Sequence, residues 1–258
     1  MNDASGATDA AGSGATGAAG WTALHDACAK GDLAAVEQLI EAGTGIDARS
    51  AHGATALHVA AEFGFPDVAG ALLAAGASVH AVDRDLWSPL LRAAYEGHAD
   101  VIEILSPTSD LWHRDAFYDG ALELAAKRGR QDAVAALLDA GLVASAPDND
   151  LSTALHVAAA FGQRAVVNEL LAEDDVDVDA LGGHMGRSAL ELAAFSGHMA
   201  VVETLVRHGA KNEPAAAPLP PRTRPPIRPS AHTARKSSNK GQPMRHADAA
   251  RIQNMKAF

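Results

Sequence analysis

Apolar residues in the central part of this chain recur at the three- and four-residue spacing of short amphipathic helices. Residues 51–76 show the pattern most clearly, and glycine follows each predicted helix, at Gly64 and Gly76. The apolar positions are Leu57, Ala60 and Ala61 in the first helix, and Val68, Leu72 and Leu73 in the second. This stretch therefore predicts a pair of short helices separated by a tight turn.

The same unit recurs six times along the chain. Its four-residue openers are TALH, TALH, SPLL, GALE, TALH and SALE, and they begin at residues 22, 55, 88, 120, 153 and 188. The spacings between these starts are 33, 33, 32, 33 and 35 residues. A period near 33 residues is typical of a stack of repeats, in which each helix pair completes the hydrophobic core of its neighbour.

Each part of the repeated unit has a physical role. Thr or Ser at the opener is expected to cap the first helix, and the leucine two residues later to enter the core. The glycines expected to end the first helices in a left-handed conformation are Gly31, Gly64, Gly97, Gly129, Gly162 and Gly197. Paired small residues such as Ala60 and Ala61 would let neighbouring helices approach closely.

This pattern resembles the ankyrin repeat family across residues 20–212. The resemblance implies an all-α solenoid of about six helix–turn–helix repeats joined by hairpin-like loops. It also implies a concave recognition surface, formed by the loop tips and first helices, and a role in binding proteins. The family is rarely catalytic, so we expect no enzyme activity.

The resemblance divides the chain into three segments. Residues 1–19, rich in Gly and Ala, and residues 213–258, rich in Pro and basic residues, are expected to be disordered around a repeat domain at 20–212. The predicted repeats lie near residues 20–49, 50–82, 83–114, 115–147, 148–182 and 183–212.

Several positions depart from the family pattern. Leu86, Tyr118 and Leu151 stand where the family has glycine. We expect residues 106–120 to form an irregular junction, the weakest seam of the stack, since Pro107 ends the helix before it. The loop 181–186 of repeat six carries two extra residues and is expected to be mobile.

Charge is distributed unevenly along the chain, whose net charge is −11. Residues 1–212 hold 12 basic and 30 acidic residues, a balance of −18, whereas residues 213–258 hold 9 and 2, a balance of +7. The acidic body disfavours nucleic acid, which only the tail could attract. The tail itself could be an inert terminus, a Pro-rich ligand, or a basic arm that folds back on the repeats or touches nucleic acid.

The sequence shows no apolar run long enough to span a membrane and no secretory signal, and its single cysteine, Cys28, cannot form an internal disulfide. We therefore expect an intracellular protein of the cytoplasm or nucleus. We also expect it to be a monomer.

Candidate chemistry is sparse. His25, His58 and His156 share the fourth opener position, where the family uses histidine to hold the loops. The acidic run 173–179 lacks the glycine and glutamate of a calcium loop and is interpreted as solvated. Residues 12–17 match the GxGxxG motif of dinucleotide-binding sites, but no predicted strand precedes them, so the match is interpreted as low-complexity sequence. We expect no catalytic residues, cofactor or metal.

Aromatic residues give the sharpest prediction of a binding surface. A stripe of rings with an acidic rim would form a groove for a protein partner carrying a basic segment. The predicted partner-binding residues are Phe63, Trp87, Tyr95, Phe117, Phe161, Phe195, Glu62, Asp85, Glu96, Asp119 and Asp150. Partial packing of the rings within the repeats is an equally good explanation.

The sequence thus predicts a non-catalytic interaction module that acts as an adaptor, scaffold or regulatory subunit. One alternative is a subunit that brings substrates to an enzyme complex such as a ubiquitin ligase or phosphatase. Another is a nucleic-acid-associated factor that uses the basic tail.

Overall fold

The structure is a computed structural model that describes residues 20–148, 152–183 and 185–211. All of them lie in the first of the two units into which the chain divides, Met1–Leu219 and Pro220–Phe258. The segments 1–19 and 213–258, which the sequence predicts to be disordered, lie outside the described residues.

The described residues form six pairs of short helices. The first helices of the pairs are Ala23–Lys30 (α1), Ala56–Phe63 (α3), Pro89–Glu96 (α5), Ala121–Arg128 (α7), Ala154–Ala160 (α9) and Ala189–Phe195 (α11). The second helices are Leu33–Glu41 (α2), Pro66–Ala74 (α4), Ala99–Leu105 (α6), Gln131–Asp139 (α8), Arg164–Leu170 (α10) and Met199–Arg207 (α12). Each first helix contacts the first helix of the next pair, and the second helices form a parallel row behind them.

Small side chains let the first helices pack closely. Ala60, Ala93, Ala125 and Ala158 are completely buried at equivalent positions of successive repeats. The leucines that follow the caps, such as Leu57 and Leu155, are also buried. The predicted repeat solenoid is confirmed, and its core runs between the two rows as one continuous cluster.

Local signals start and stop the helices as the sequence predicts. Thr55 precedes α3 in an extended conformation, and Gly64 ends it with a φ of +73°. A Cβ atom at Gly64 would overlap the ring of His98 from the next repeat, so close packing and backbone conformation both require glycine here.

A ladder of buried histidines joins consecutive repeats. Nδ1 of His58 accepts the Thr55 backbone N–H at 3.1 Å, so Nε2 carries the proton and donates to the Trp87 carbonyl of the next repeat at 3.0 Å. His25 and His156 make the same bridges, to the carbonyls of Ala54 and Ala180. The structural role predicted for these histidines is confirmed.

A second ladder runs along the ends of the first helices. The side chain just after the helix-ending glycine donates to a carbonyl in the preceding repeat. The donor–acceptor pairs are His98 Nε2 to Glu62 O, Arg130 Nε to Tyr95 O, Gln163 Nε2 to Lys127 O and His198 Nε2 to Ala160 O, at 3.0 to 3.3 Å. Different side chains therefore donate to the carbonyls that the end of each first helix leaves without a partner within the helix.

The junction 106–120 is more regular than the sequence predicts. Helix α6 ends at Leu105 and no helix follows until α7, but the loop still makes the hairpin of its neighbours. The Asp115 N–H donates to the Asp119 carbonyl at 3.0 Å, as the Asp83 N–H does to that of Trp87. That this junction is the weakest seam stays a prediction.

The loop of repeat six is flanked by two short strands. Leu181–Gly182 (β1) pairs antiparallel with Arg187–Ser188 (β2), the one named sheet in the part of the chain that the structure describes. The two extra residues thus extend the hairpin between repeats five and six.

Burial lowers the pKa of His58 from 6.5 to about 4, despite the opposing hydrogen bond to the Trp87 carbonyl. As pH is lowered, His58 therefore binds a proton at a higher pH in the unfolded chain than in the folded chain. The free energy of unfolding falls as pH drops from 6.5 towards 4. We expect His58→Gln to remove from urea-unfolding curves a pH dependence of about 3 kcal/mol. The same substitution at exposed His52 should leave the pH dependence unchanged, and an unaltered curve for His58→Gln would contradict the argument.

Candidate functional site

The tips of the hairpins between repeats carry an unusual backbone conformation. Gly53 at the tip before repeat two has a φ of +83°, and the equivalent Leu86 and Tyr118 have φ values of +61° and +68°. No other non-glycine residue in the described segments has a positive φ. This conformation costs a non-glycine residue roughly 1–3 kcal/mol.

The same tips expose large apolar side chains. Leu86 is 46% exposed, Phe117 71% and Tyr118 59%. Adjacent tips are hydrogen-bonded, since the Ala116 N–H donates to the Asp85 carbonyl at 3.2 Å. We call Leu86, Phe117 and Tyr118 the tip row. Leu151, the equivalent in the next hairpin, lies outside the described residues.

Buried aspartates hold the tips in shape. Oδ1 of Asp83 accepts the backbone N–H groups of Asp85 and Trp87, both at 2.9 Å. Asp115 does the same for Phe117 at 2.8 Å and Asp119 at 3.0 Å. The exposed side chains of the tip row therefore project from a fixed backbone.

Trp87 and Tyr95 form the central ring pair of the predicted surface. Their centroids are 5.0 Å apart at an interplanar angle of 69°, an edge-to-face contact. Both rings are half-buried, and Nε1 of Trp87 donates to Oδ2 of Asp115 in the next repeat at 3.1 Å. These two residues therefore pack the stack as well as facing the surface.

The predicted phenylalanines lie at two different helix positions. Phe63 and Phe161 are the eighth residues after their caps, whereas Phe195, like Tyr95, is the seventh. Phe63, Phe161 and Phe195 are 46%, 51% and 78% exposed. The structure joins Trp87 to Tyr95 but shows no ring-to-ring contact among the other predicted aromatics within the described residues.

Cations from the protein itself cover four of the rings. Arg92 lies 4.7 Å from the Trp87 centroid and Arg128 4.6 Å from that of Tyr95. Lys127 and Arg187 lie 5.6 and 4.8 Å from Phe161 and Phe195. These are cation–π distances, so the ring faces are shared between internal packing and any partner.

Three of the five acidic residues of the rim are paired with cations, and two of these cations, Arg92 and Lys127, also cover rings. Glu62 lies 4.0 Å from Arg92, Glu96 lies 3.7 Å from Arg130, and Asp119 lies 3.7 Å from Lys127. Burial raises the pKa of Asp119, against the influence of Lys127. Asp85 is exposed on its hairpin, and Asp150 lies outside the described residues. That these residues bind a partner stays a prediction.

Repeat four has Gly120 and Glu123 where repeats one, two and five have a Thr–His pair. A Cβ atom at Gly120 would lie 2.7 Å from Oε2 of Glu123, so a larger residue here would require the Glu123 carboxylate to shift. Arg114 compensates by pairing with Glu123 at 3.4 Å and donating to the Tyr118 carbonyl at 2.9 Å. Burial raises the pKa of Glu123, and Arg114 only partly opposes it.

The remaining polar candidates have structural partners. Asp175 accepts hydrogen bonds from the backbone N–H and hydroxyl of Ser145, and Asp179 accepts the Lys211 N–H at 2.8 Å. No cluster of three metal-ligating side chains occurs in the described segments. Burial raises the pKa of the Cys28 thiol to about 12, which makes it unreactive.

No helix in the described segments is long and apolar enough to cross a bilayer.

Comparison with known proteins identifies the repeated unit. The family described as "Ankyrin repeats (3 copies)" matches residues 7–83, 24–115, 90–182 and 122–215, which together cover most of the chain. The chain belongs to the ankyrin repeat family. Ankyrin repeats are a protein-interaction fold that binds protein partners and is generally non-catalytic.

Solved ankyrin domains share the architecture. The human ASB11 ankyrin repeat domain superposes with a TM-score of 0.67 at 26% identity, covering 76% of this chain and 88% of that domain. The ankyrin repeat domain of Bcl-3, described as a unique member of the IkappaB protein family, gives 0.65 at 30% identity, covering 75% and 88%.

Curated relatives are longer than the matched region. The Mus musculus B-cell lymphoma 3 protein homolog is 30% identical over 74% of this chain and 44% of its own length. Two Caenorhabditis elegans proteins also match. They are the ankyrin repeat and KH domain-containing protein mask-1 (32% identical, 48% of this chain, 5% of its length) and a transient receptor potential cation channel subfamily A member 1 homolog (37%, 36% and 8%). The chain thus spans less than half of each relative.

Because burial raises the pKa of Glu123, the folded chain favours the protonated carboxyl. The stability that this protonated form contributes is lost as pH rises above the usual pKa of a glutamate, where the ionised form opposes folding. We expect Glu123→Gln to raise the free energy of unfolding at pH 7.5 relative to the native chain, with a difference that shrinks towards pH 4. Urea unfolding at the two pH values measures this, with exposed Glu103→Gln as the control. A destabilised Glu123→Gln chain at pH 7.5 would show that the pair with Arg114 dominates.

Proposed function

We propose that this ankyrin protein is an adaptor or regulatory subunit that binds a protein partner through its tip row. The conclusion rests on one observation, the exposure of Leu86 and Tyr118 in a left-handed backbone conformation that glycine would adopt without strain. A conformation that costs stability and exposes apolar area is expected where binding recovers that cost.

The predicted residues around the tip row extend the proposed surface. Phe63 at the end of α3 and Phe161 just after α9 are exposed, and Asp85 lies beside Leu86 on an exposed hairpin. Rigid aromatic side chains bury much area at a small loss of conformational entropy. Asp85 and the −18 balance of residues 1–212 favour a partner that carries basic residues beside its apolar anchor.

Trp87 and Tyr95 would make an ambiguous test of this proposal. Their substitution removes the edge-to-face contact and, for Trp87, the hydrogen bond to Asp115 in the next repeat. A loss of binding could then arise from a loosened stack. Residues of the tip row touch less of the core and separate the two effects.

The double substitution Leu86→Gly and Tyr118→Gly tests the proposal directly. We expect it to raise the free energy of unfolding by about 1 kcal/mol or more, because glycine relieves the left-handed strain. We expect the same substitutions to weaken capture of the native partner by tenfold or more, because the exposed apolar anchors are lost. Chemical unfolding and quantitative affinity capture from the cells that express the protein provide the two measurements.

The matched control is Val143→Gly, which removes an exposed apolar side chain of 44% exposure from a backbone with no left-handed strain. It should lower stability and leave capture unchanged. If the glycine pair at residues 86 and 118 captures the same proteins as strongly as the native chain, the tip row is not the binding surface.

A further inference from the structure

The last repeat exposes an apolar face at the end of the stack, away from the tip row. We define this end face by Ala194, Phe195, Met199, Val202 and Val206, on helices α11 and α12. Phe195, Met199 and Val206 are 78%, 67% and 54% exposed, and Ala194 is also exposed. Three large apolar residues on one repeat are more than scattered surface hydrophobics would explain.

Two of these positions, those of Ala194 and Val202, are buried in the internal repeats, whereas the positions of Phe195, Met199 and Val206 are partly or fully exposed there. The residues equivalent to Ala194 are Ala61, Ala94, Ala126 and Ala159, and those equivalent to Val202 are Ala69, Ile102, Val134 and Val167, all completely buried against the following repeat. Ala194 and Val202 therefore continue the interface that holds the stack together, and Phe195, Met199 and Val206 widen it with exposed apolar area.

The opposite end of the described stack is polar. Asp26 is exposed at the position where Val59 and Leu124 are each only 2% exposed in internal repeats. Gln38 is exposed on the second helix of the same repeat. Stacking repeat one of another copy on the end face would bury the Asp26 carboxylate against apolar side chains, which disfavours head-to-tail assembly.

Helix α12 presents a seam that suits pairing with its own copy. Met199, Val202 and Val206 are spaced by three and four residues, the pattern of a helix-pair interface. In an antiparallel arrangement, Met199 of each copy lies opposite Val206 of the other, with Val202 near the two-fold axis. Glu203 and Arg207 beside the seam pair with each other at 3.2 Å, so their charges are balanced and raise no barrier to approach.

We propose that two copies of this chain associate through their end faces into a two-fold symmetric dimer, with α12 against α12. Such an interface is self-complementary and closed, so assembly stops at two copies. The dimer buries the end face and leaves both tip rows open. The expectation of a monomer is replaced by this proposal.

Sedimentation velocity of the full chain over roughly 1 to 300 µM tests the association. We expect the apparent mass to rise from 26.5 kDa towards twice that value as concentration increases. Met199→Asp combined with Val206→Asp should hold the mass at 26.5 kDa throughout, since both residues are already exposed in the repeat and the fold does not need them. Val143→Asp is the matched control and should dimerise like the native chain.

Val202→Cys tests the symmetry. A cysteine near a two-fold axis meets its own copy, so oxidised glutathione should convert the variant to a disulfide-linked dimer, while buried Cys28 stays unreacted. Val143→Cys should remain unlinked. A native chain that stays monomeric over the whole range, a dimer unaffected by the two aspartates, or an unlinked Val202→Cys chain would each overturn the proposal.

Discussion

Each helix pair in this chain leaves much of its apolar surface uncovered until the next pair packs against it. Completely buried alanines such as Ala60 and Ala93 let the first helices approach closely, and buried histidines then bridge the gap to the next hairpin. Since these contacts are made between neighbours, stability is a sum over junctions. The same dependence on a neighbour explains the smooth core inside the stack and the exposed apolar residues at its end.

That regularity is why the fold could be predicted from sequence. The period near 33 residues, the capping Thr and Ser residues and the helix-ending glycines each carry a local physical requirement, and the structure satisfies them as expected. The histidine bridges were also predictable, because the same residue recurs at the same place. The 35-residue spacing also located the longer loop at 181–186, but the strand pairing of Leu181–Gly182 with Arg187–Ser188 needed the structure, since it involves only two residues on each side.

The candidate surface was only partly predictable. The sequence marked Leu86 and Tyr118 as departures from glycine, but their significance needs the observed positive φ and exposure together. The sequence predicted a rim of acidic residues open to a basic partner, whereas the structure pairs Glu62, Glu96 and Asp119 with cations of the protein itself. This pairing depends on which helices lie side by side. Long-range pairing of this kind is set by the stack and not by any local pattern.

The exchange of Thr and His for Gly120 and Glu123 has a consequence for how repeats of this type can be altered. Restoring threonine at 120 alone would require the Glu123 carboxylate to shift, and restoring histidine at 123 alone would leave Arg114 without its acid. The two sites are thus coupled, and their combined effect will not equal the sum of the separate ones. A design that chooses the residue at each position separately would miss this, because Gly120, Glu123 and Arg114 contact one another.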